Sequence, residues 1–157
     1  MNVHSFSRNI DHTACDVGTV VGHTLHVGEN VQQHDTGVDG ALALFQTLLP
    51  EADVVAMSGS VPKGLDGSAY QQRIALCRAA GKPVILDTSG KLLEAGIESC
   101  PTMIKPNIDE IRMLTGKPCN DLSEIVEAAK ALHRRGIPVV AVSLGSQGSI
   151  VVSDEGS

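Results

Sequence analysis

Short, continuously apolar runs alternate with helix-forming segments along this 157-residue chain from Gly37 onward. Strands without an alternation of polar and apolar residues are buried on both faces, and helices between such strands are typical of a parallel sheet. The predicted strands span residues 53–57, 84–86, 102–104, 139–144 and 149–152. The sequence therefore predicts an α/β fold in which a mostly parallel sheet carries helices on both faces.

Four helices are predicted around these strands, at residues 41–49, 68–80, 108–114 and 121–135. Pro50 ends the first, because the residue before a proline disfavours the helical conformation. The last has the clearest pattern, since Ile125, Ala129 and Leu132 share one face and Gly136 follows as a cap.

The first 36 residues differ from the rest of the chain. They contain five of the six histidines and show no helical or strand period. We therefore predict an irregular segment over residues 1–36 and a separate domain over residues 37–157. The alternative is a metal site, because His23 and His26 would share a face of a helix. Gly22 and Gly28 argue against a helix at that place.

Composition excludes several classes of function. The net charge is −6, and the only adjacent pair of basic side chains is Arg134–Arg135, so nucleic acid is not an expected partner. A membrane helix needs an apolar run of about 18 residues or more, and the sequence has none. No secretory signal pattern precedes Ile10, and we expect a cytoplasmic protein. Its cysteines form no Cys-x-x-Cys pair and are expected to be reduced thiols: Cys15, Cys77, Cys100 and Cys119.

Four of the predicted strands end in polar, turn-forming sequences. These are Ser58-Gly-Ser60, Asp87-Thr-Ser-Gly90, Lys105-Pro-Asn107 and Ser143-Leu-Gly145. The carboxyl ends of parallel strands meet at one edge of a sheet, where ligands of α/β proteins bind. We therefore expect a binding site at this edge.

The first of these turns has two interpretations. Ser58 and Ser60 offer hydroxyls, and Gly59 allows a ligand to approach the backbone closely. An ordinary turn from strand to helix would use the same residues.

The third turn carries more chemistry. Pro106 keeps Lys105 extended, so its ammonium can project from the strand end towards a phosphate. Asn107 and Glu110 have the spacing of a helix cap, which is worth about 1 kcal/mol. They could instead face a hydrated Mg²⁺, and both roles hold together if Asn107 caps the helix and Glu110 contacts the metal.

The fourth turn, Ser143-Leu-Gly-Ser-Gln-Gly-Ser149, is rich in glycine but is not a P-loop. It lies between two predicted strands, so a hairpin turn is the simplest interpretation. A loop that borders a nucleotide is the alternative.

Taken in order, these sequences resemble the PfkB carbohydrate kinases, a ribokinase-like family, and in particular its 1-phosphofructokinase and tagatose-6-phosphate kinase branch. The matching stretches are residues 52–64, 81–90, 101–110 and 142–148. The resemblance implies a partial three-layer ribokinase-like fold. It also implies transfer of the ATP γ-phosphoryl group, with Mg²⁺, to a sugar phosphate such as fructose 1-phosphate or tagatose 6-phosphate.

The resemblance also assigns roles to residues. It implies that the sugar phosphate is bound by Ser58, Gly59 and Ser60. It implies that phosphate and Mg²⁺ are bound by Lys105, Asn107, Glu110 and Asp87, with Glu110 holding the metal through water. It implies that ATP is bound by Ser143, Gly145, Gln147 and Gly148.

Two parts of the family pattern are not matched. The Gly-Ala-Gly-Asp loop, which bears the catalytic aspartate, would lie after Ser157, and residues 1–36 do not resemble the strand-rich sugar-binding half. We therefore expect a partial kinase domain that is inactive alone and self-associates through exposed sheet edges. The alternatives are a non-catalytic nucleotide- or phosphate-binding remnant and a degenerate gene product.

Overall fold

The computed structural model describes residues 14–20, 23–28, 37–61 and 66–154. Its strands are β1 (Ala14–Val20), β2 (His23–Gly28), β3 (Val55–Ser58), β4 (Val84–Asp87), β5 (Met103–Ile104), β6 (Val139–Ser143) and β7 (Ser149–Ser153). Its helices are α1 (Gly37–Leu48), α2 (Ser68–Ala79), α3 (Gly90–Ile97), α4 (Ile108–Thr115) and α5 (Leu122–Arg134). Short 3₁₀ turns lie at Leu49–Glu51 and Gly145–Gln147.

The strands form one sheet in the order β2-β1-β3-β4-β5-β6-β7. β3, β4, β5 and β6 are parallel neighbours, while β1, β2 and β7 pair with their neighbours in antiparallel fashion. The four parallel strands therefore end at the same edge of the sheet, and these are the strands that end in the polar sequences.

Each predicted helix and strand is present, with ends that differ by a few residues. One helix was not predicted: α3 follows β4 directly and buries Leu93, Gly96 and Ile97. A Cβ atom at position 96 would overlap the Leu86 side chain, so glycine lets α3 pack closely on β4. This short helix begins at Gly90, inside a sequence that reads as a turn.

The segment predicted to be irregular contains two strands. β1 and β2 form an antiparallel pair, and β1 also pairs with β3 through Thr19 and Val20. The histidine metal site required a helix, and the segment that contains His23 and His26 is a strand, so that alternative loses its basis. The side chains of His23 and His26 lie outside the described residues, as do residues 1–13, 21–22 and 29–36. The division of the chain at residue 36 stays a prediction.

The fully buried residues of β3 and β4 lie on one face of the sheet. Val55, Met57, Val84 and Leu86 alternate in register along β3 and β4 and are fully buried. Burial of each such side chain contributes about 1.5–3 kcal/mol to the free energy of folding. This burial holds the parallel strands, and with them the polar turns at their ends, in fixed register.

Arg73 is an exception within this core. Only 3% of Arg73 on α2 is exposed. Its Nη1 donates to the Ala69 carbonyl at 2.9 Å, and within the described part of the chain its Nε has no hydrogen-bond partner. Burial lowers the pKa of Arg73 below its ordinary value, because a charged group loses its hydration there.

Two of the cysteine side chains are also buried. Cys77 and Cys119 are free thiols, and burial raises the pKa of Cys77 to about 11. Cys119 shifts in the same direction for the same reason. Both groups are therefore protonated at neutral pH and contribute to packing rather than to chemistry.

Across the ranges that the structure describes, no helix has the length and apolar character that a membrane span requires.

Candidate functional site

A cleft of about 430 Å³ opens where the four parallel strands end. Seven residues predicted to bind ligands line it: Gly59, Ser60, Asp87, Lys105, Asn107, Glu110 and Ser143. Parallel pairing brings these residues together although they are spread over more than half of the chain.

The turn after β3 is fixed by its backbone. Gly59 has φ of 90°, a left-handed conformation that favours glycine. Its N–H donates to the Asp87 carbonyl at 3.3 Å. Its carbonyl accepts from Tyr70 Oη at 3.0 Å and from Thr88 Oγ1 at 2.7 Å. The turn is therefore tied both to the end of β4 and to α2.

Lys105 and Asp87 form an ion pair in the cleft. Lys105 Nζ lies 2.8 Å from Asp87 Oδ2, and the two side chains are about half exposed, at 51% and 45%. Water screens such a pair, so it is worth no more than about 1 kcal/mol. The lysine can therefore exchange this carboxylate for another anion at little cost.

Asn107 and Glu110 form a capping box at the start of α4. Asn107 Oδ1 accepts from Glu110 N–H at 2.9 Å, and Glu110 Oε2 accepts from Asn107 N–H at 2.9 Å. The capping interpretation of this pair is therefore confirmed. Glu110 also lines the cleft, and its second oxygen, Oε1, lies outside the capping box. The structure thus allows the cap and a metal contact together.

The fourth turn is partly inside the site. Ser143 lines the cleft, and its N–H donates to the Pro106 carbonyl at 2.9 Å, which ties β6 to the Lys105 turn. Leu144 and Gly148 then close a hairpin turn through a 2.8 Å hydrogen bond from Leu144 N–H to the Gly148 carbonyl. The hairpin interpretation is therefore confirmed, and the nucleotide contact stays a prediction.

The remaining predicted residues lie elsewhere. The described residues that line the cleft do not include four of the predicted ones: Ser58, Gly145, Gln147 and Gly148. Ser58 is exposed at the end of β3. Gln147 lines a second cleft, of about 530 Å³, that lies between the starts of α4 and α5 and the hairpin turn.

Three further residues line the first cleft and were not selected from the sequence: Thr88, Ser89 and Leu92. Thr88 and Ser89 belong to the Asp87-Thr-Ser-Gly90 sequence, which was the available signal. Leu92 belongs to α3, the helix that was not predicted.

The oxygen groups of the cleft fit a magnesium ion. Mg²⁺ is usually held by one or two carboxylates together with waters and substrate phosphates. Asp87 and Glu110 supply two carboxylates to the lining of the cleft. Among the described residues, no group of three or more His, Cys, Asp or Glu side chains could hold a metal, so a complete protein cage is not formed there.

Comparison with known proteins gives a family match. Residues 16–157 match the model of the pfkB family of carbohydrate kinases, a stretch that includes most of β1 and all of β2. Phosphofructokinase-2 from Escherichia coli, solved in complex with fructose-6-phosphate, is 25% identical with a TM-score of 0.68. That match covers 78% of this chain and 41% of the enzyme, so the chain spans about two fifths of this relative.

Two further structures share the fold at lower identity. Ribokinase from Arabidopsis thaliana, with ribose and ATP, is 24% identical with a TM-score of 0.60, and the match covers 85% of this chain and 43% of that one. A Thermotoga maritima protein described as a possible 1-phosphofructokinase is 24% identical with a TM-score of 0.68, over 85% and 43%. The predicted ribokinase-like α/β fold is confirmed.

Proposed function

Because this chain belongs to the pfkB family of carbohydrate kinases, we propose that it provides the phosphate-binding part of an ATP-dependent sugar-phosphate kinase. The substrate we propose is fructose 1-phosphate or tagatose 6-phosphate, as in 1-phosphofructokinases. The observation that carries this proposal is the cleft at the strand ends, where Lys105 is paired with the Asp87 carboxylate and Glu110 supplies a second carboxylate to the lining.

Lys105 is the cation that binds the transferred phosphate. It leaves Asp87 when a phosphate oxygen takes its place, and the half-exposed ion pair offers little resistance to this exchange. Phosphoryl transfer depends mainly on positioning and on stabilising negative charge, so one ammonium at the strand end serves the reaction directly.

Asp87 and Glu110 hold the Mg²⁺ that accompanies ATP, with Glu110 acting through water. When bound, the metal neutralises charge on the phosphate oxygens. The two carboxylates outnumber the one ammonium among the charged side chains that line the cleft in the described residues. A polyanion is therefore repelled by this wall unless it arrives with a cation.

The two ends of the cleft take different parts of the substrates. Ser60, at the turn after β3, binds the sugar phosphate together with Ser58 and Gly59. Ser143 lies at the other end, and its turn, with Gly145, Gln147 and Gly148, borders ATP. The bond from Ser143 N–H to the Pro106 carbonyl supports this, because it joins the turn to the Lys105 segment.

The 157-residue polypeptide binds these ligands without transferring phosphate. Its sequence contains no Gly-Ala-Gly-Asp segment. General-base assistance is typically worth about 10²–10⁴-fold in rate, and each anion-hole donor about 10²–10³-fold. Asp87 is paired with Lys105, and Asp109 is paired with Arg112 at 2.8 Å, so neither is placed to act as the base.

A coupled kinase assay with fructose 1-phosphate and tagatose 6-phosphate, together with calorimetric titration of each sugar phosphate, tests this proposal. We expect saturable binding of at least one sugar phosphate and no turnover above background. Turnover by the purified polypeptide would contradict the inactivity, and the absence of binding for both sugar phosphates would contradict the substrate class.

A second candidate is a non-catalytic nucleotide- or phosphate-binding remnant, or a degenerate gene product. Arg73 favours it, because its buried Nε has no hydrogen-bond partner among the described residues and a buried polar group without a partner weakens the core of a domain. The DNA that flanks the gene separates the two candidates. An in-frame Gly-Ala-Gly-Asp sequence downstream favours the kinase, and an unrelated context favours the remnant.

A second copy of the chain is the proposed protein partner. The less buried face of the sheet carries a row of half-buried apolar residues that are cross-strand partners: Ala56, Ile85, Met103 and Val139. On the edge strand β7 the partner of Val139 is Ser153, and Val151, two residues earlier on the same face, is 48% exposed. Exposed apolar edges of this kind pair with other chains.

A further inference from the structure

The Gly59 carbonyl is held by two hydroxyls that come from different elements. Tyr70 on α2 is fully buried, and its hydroxyl donates to this carbonyl at 3.0 Å. Thr88, which follows β4 and is 9% exposed, donates at 2.7 Å. A carbonyl has two lone pairs, so these donors fill its acceptor capacity.

These contacts fix the direction of the chain at the cleft. The Gly59 N–H is bonded to the Asp87 carbonyl, so both peptide groups of this residue are held. The peptide bond between Gly59 and Ser60 is planar, and holding its carbonyl therefore fixes the orientation in which the chain continues to Ser60. Gly59 and Ser60 both line the cleft.

We propose that Tyr70 and Thr88 are positioning residues for the sugar-phosphate end of the cleft, acting through the Gly59 carbonyl to place Ser60 against the ligand phosphate. The inference rests on the proposed function, in which Ser60 binds that phosphate. Tyr70 is buried and does not line the cleft, so it contacts the turn from the core side. Thr88 lines the cleft, but its hydroxyl donates its proton to the backbone rather than to a ligand.

The two contacts are separate from the phosphate-binding end of the site. Both hydroxyls donate to the Gly59 carbonyl, whereas Lys105 is paired with the Asp87 side chain. Loss of either hydroxyl should therefore disturb the Ser60 turn while leaving Lys105 and the Asn107–Glu110 capping box intact.

Removing single hydroxyls tests the proposal. Tyr70→Phe and Thr88→Val each delete one donor with little change of shape. Thr115→Val is the matched control, because its Oγ1 donates to the Ile111 carbonyl at 2.7 Å at the far end of α4. The probes are fructose 1-phosphate and tagatose 6-phosphate for the sugar end, and Mg·ATP for the nucleotide end.

We expect each deletion to weaken sugar-phosphate binding roughly fivefold to tenfold, the worth of one hydrogen bond. The affinity for Mg·ATP should stay within about twofold, and Thr115→Val should leave both affinities unchanged. Thr88→Ser retains the donor and should restore binding to the wild-type value. Amide exchange at Gly59 and Ser60 should accelerate in the two deletion variants only.

The other outcomes are distinct. Wild type that binds neither sugar phosphate overturns the proposed substrate class, and the positioning role with it. Wild type that binds while Tyr70→Phe and Thr88→Val bind equally well overturns the positioning role alone. Parallel losses of sugar-phosphate and Mg·ATP affinity that Thr88→Ser does not restore also overturn it, because they indicate a general loss of structure.

Discussion

Lys105 and Asp87 face each other across the ends of the neighbouring strands β5 and β4, with Lys105 Nζ 2.8 Å from Asp87 Oδ2. The pair places a cation at the carboxyl edge of the parallel sheet and offsets its charge with a carboxylate. A phosphate ligand therefore has to compete with Asp87 for this lysine. Several expected results depend on that competition.

Asp87→Asn should strengthen the binding of metal-free ATP roughly twofold to fivefold, because it removes a negative charge from the lining of the cleft. The free energy of unfolding should change by less than about 1 kcal/mol, since the ion pair is half exposed. Titration calorimetry with ATP, in EDTA and again with Mg²⁺, measures the first effect. Weaker binding of metal-free ATP would contradict the competition.

Glu110→Gln should separate the cap from the metal contact. Glutamine retains the capping box, so the free energy of unfolding should change by less than about 0.5 kcal/mol, while affinity for Mg·ATP should fall. Asn107→Ala is the companion variant and should destabilise the domain by about 1 kcal/mol. Urea unfolding and Mg·ATP titration of both variants provide the measurements. If Glu110→Gln binds Mg·ATP like wild type, the cap is the whole role of Glu110.

Much of the site could be predicted from the sequence, because strand ends in a parallel sheet are determined by topology. Once apolar runs and helices alternate, the turns at Ser58, Asp87, Lys105 and Ser143 must meet at one edge. The capping box was predictable for a different reason. It is a local pattern, fixed by residues three positions apart.

The parts of the site and of the fold that could not be predicted from the sequence include contacts between residues that are distant along the chain. The bond from Tyr70 to the Gly59 carbonyl crosses from α2 to the turn after β3, and no spacing rule indicates it. Helix α3 was not predicted because Ser89-Gly90 indicates a turn, although the next five residues, Lys91-Leu-Leu-Glu-Ala95, are strong helix formers. Burial of Leu93 and Ile97 on the core agrees with that local propensity.

Arg73→Met should raise the free energy of unfolding by about 1 kcal/mol or more, because it removes a buried charge whose Nε has no partner. Methionine keeps a comparable helix propensity and length. Arg78→Met, on the exposed side of the same helix, is the control and should change stability by about 0.5 kcal/mol or less. Urea denaturation is the measurement. A less stable Arg73→Met protein would show that the guanidinium is compensated.

Val151→Lys should reduce self-association. Lysine on an edge strand opposes pairing between chains, and Val151 is the exposed apolar residue of β7. Sedimentation velocity over a range of concentrations should find association in wild type and a shift to monomer in the variant. Val151→Thr keeps a β-branched, uncharged side chain and should still associate. A wild-type protein that sediments as a stable monomer would contradict this account.

The most direct test of the central claim is the affinity of Mg·ATP for wild type and for Lys105→Ala, measured by titration calorimetry. Lys82→Ala is the matched control, because Lys82 lies before β4, at the opposite edge of the sheet, where its Nζ donates to the Pro50 carbonyl. A charge-assisted contact to phosphate is worth about 1.5–3 kcal/mol, so Lys105→Ala should weaken binding roughly tenfold or more. Lys82→Ala should bind like wild type. Equal affinities of wild type and Lys105→Ala would contradict the assignment of this cleft as the phosphate site.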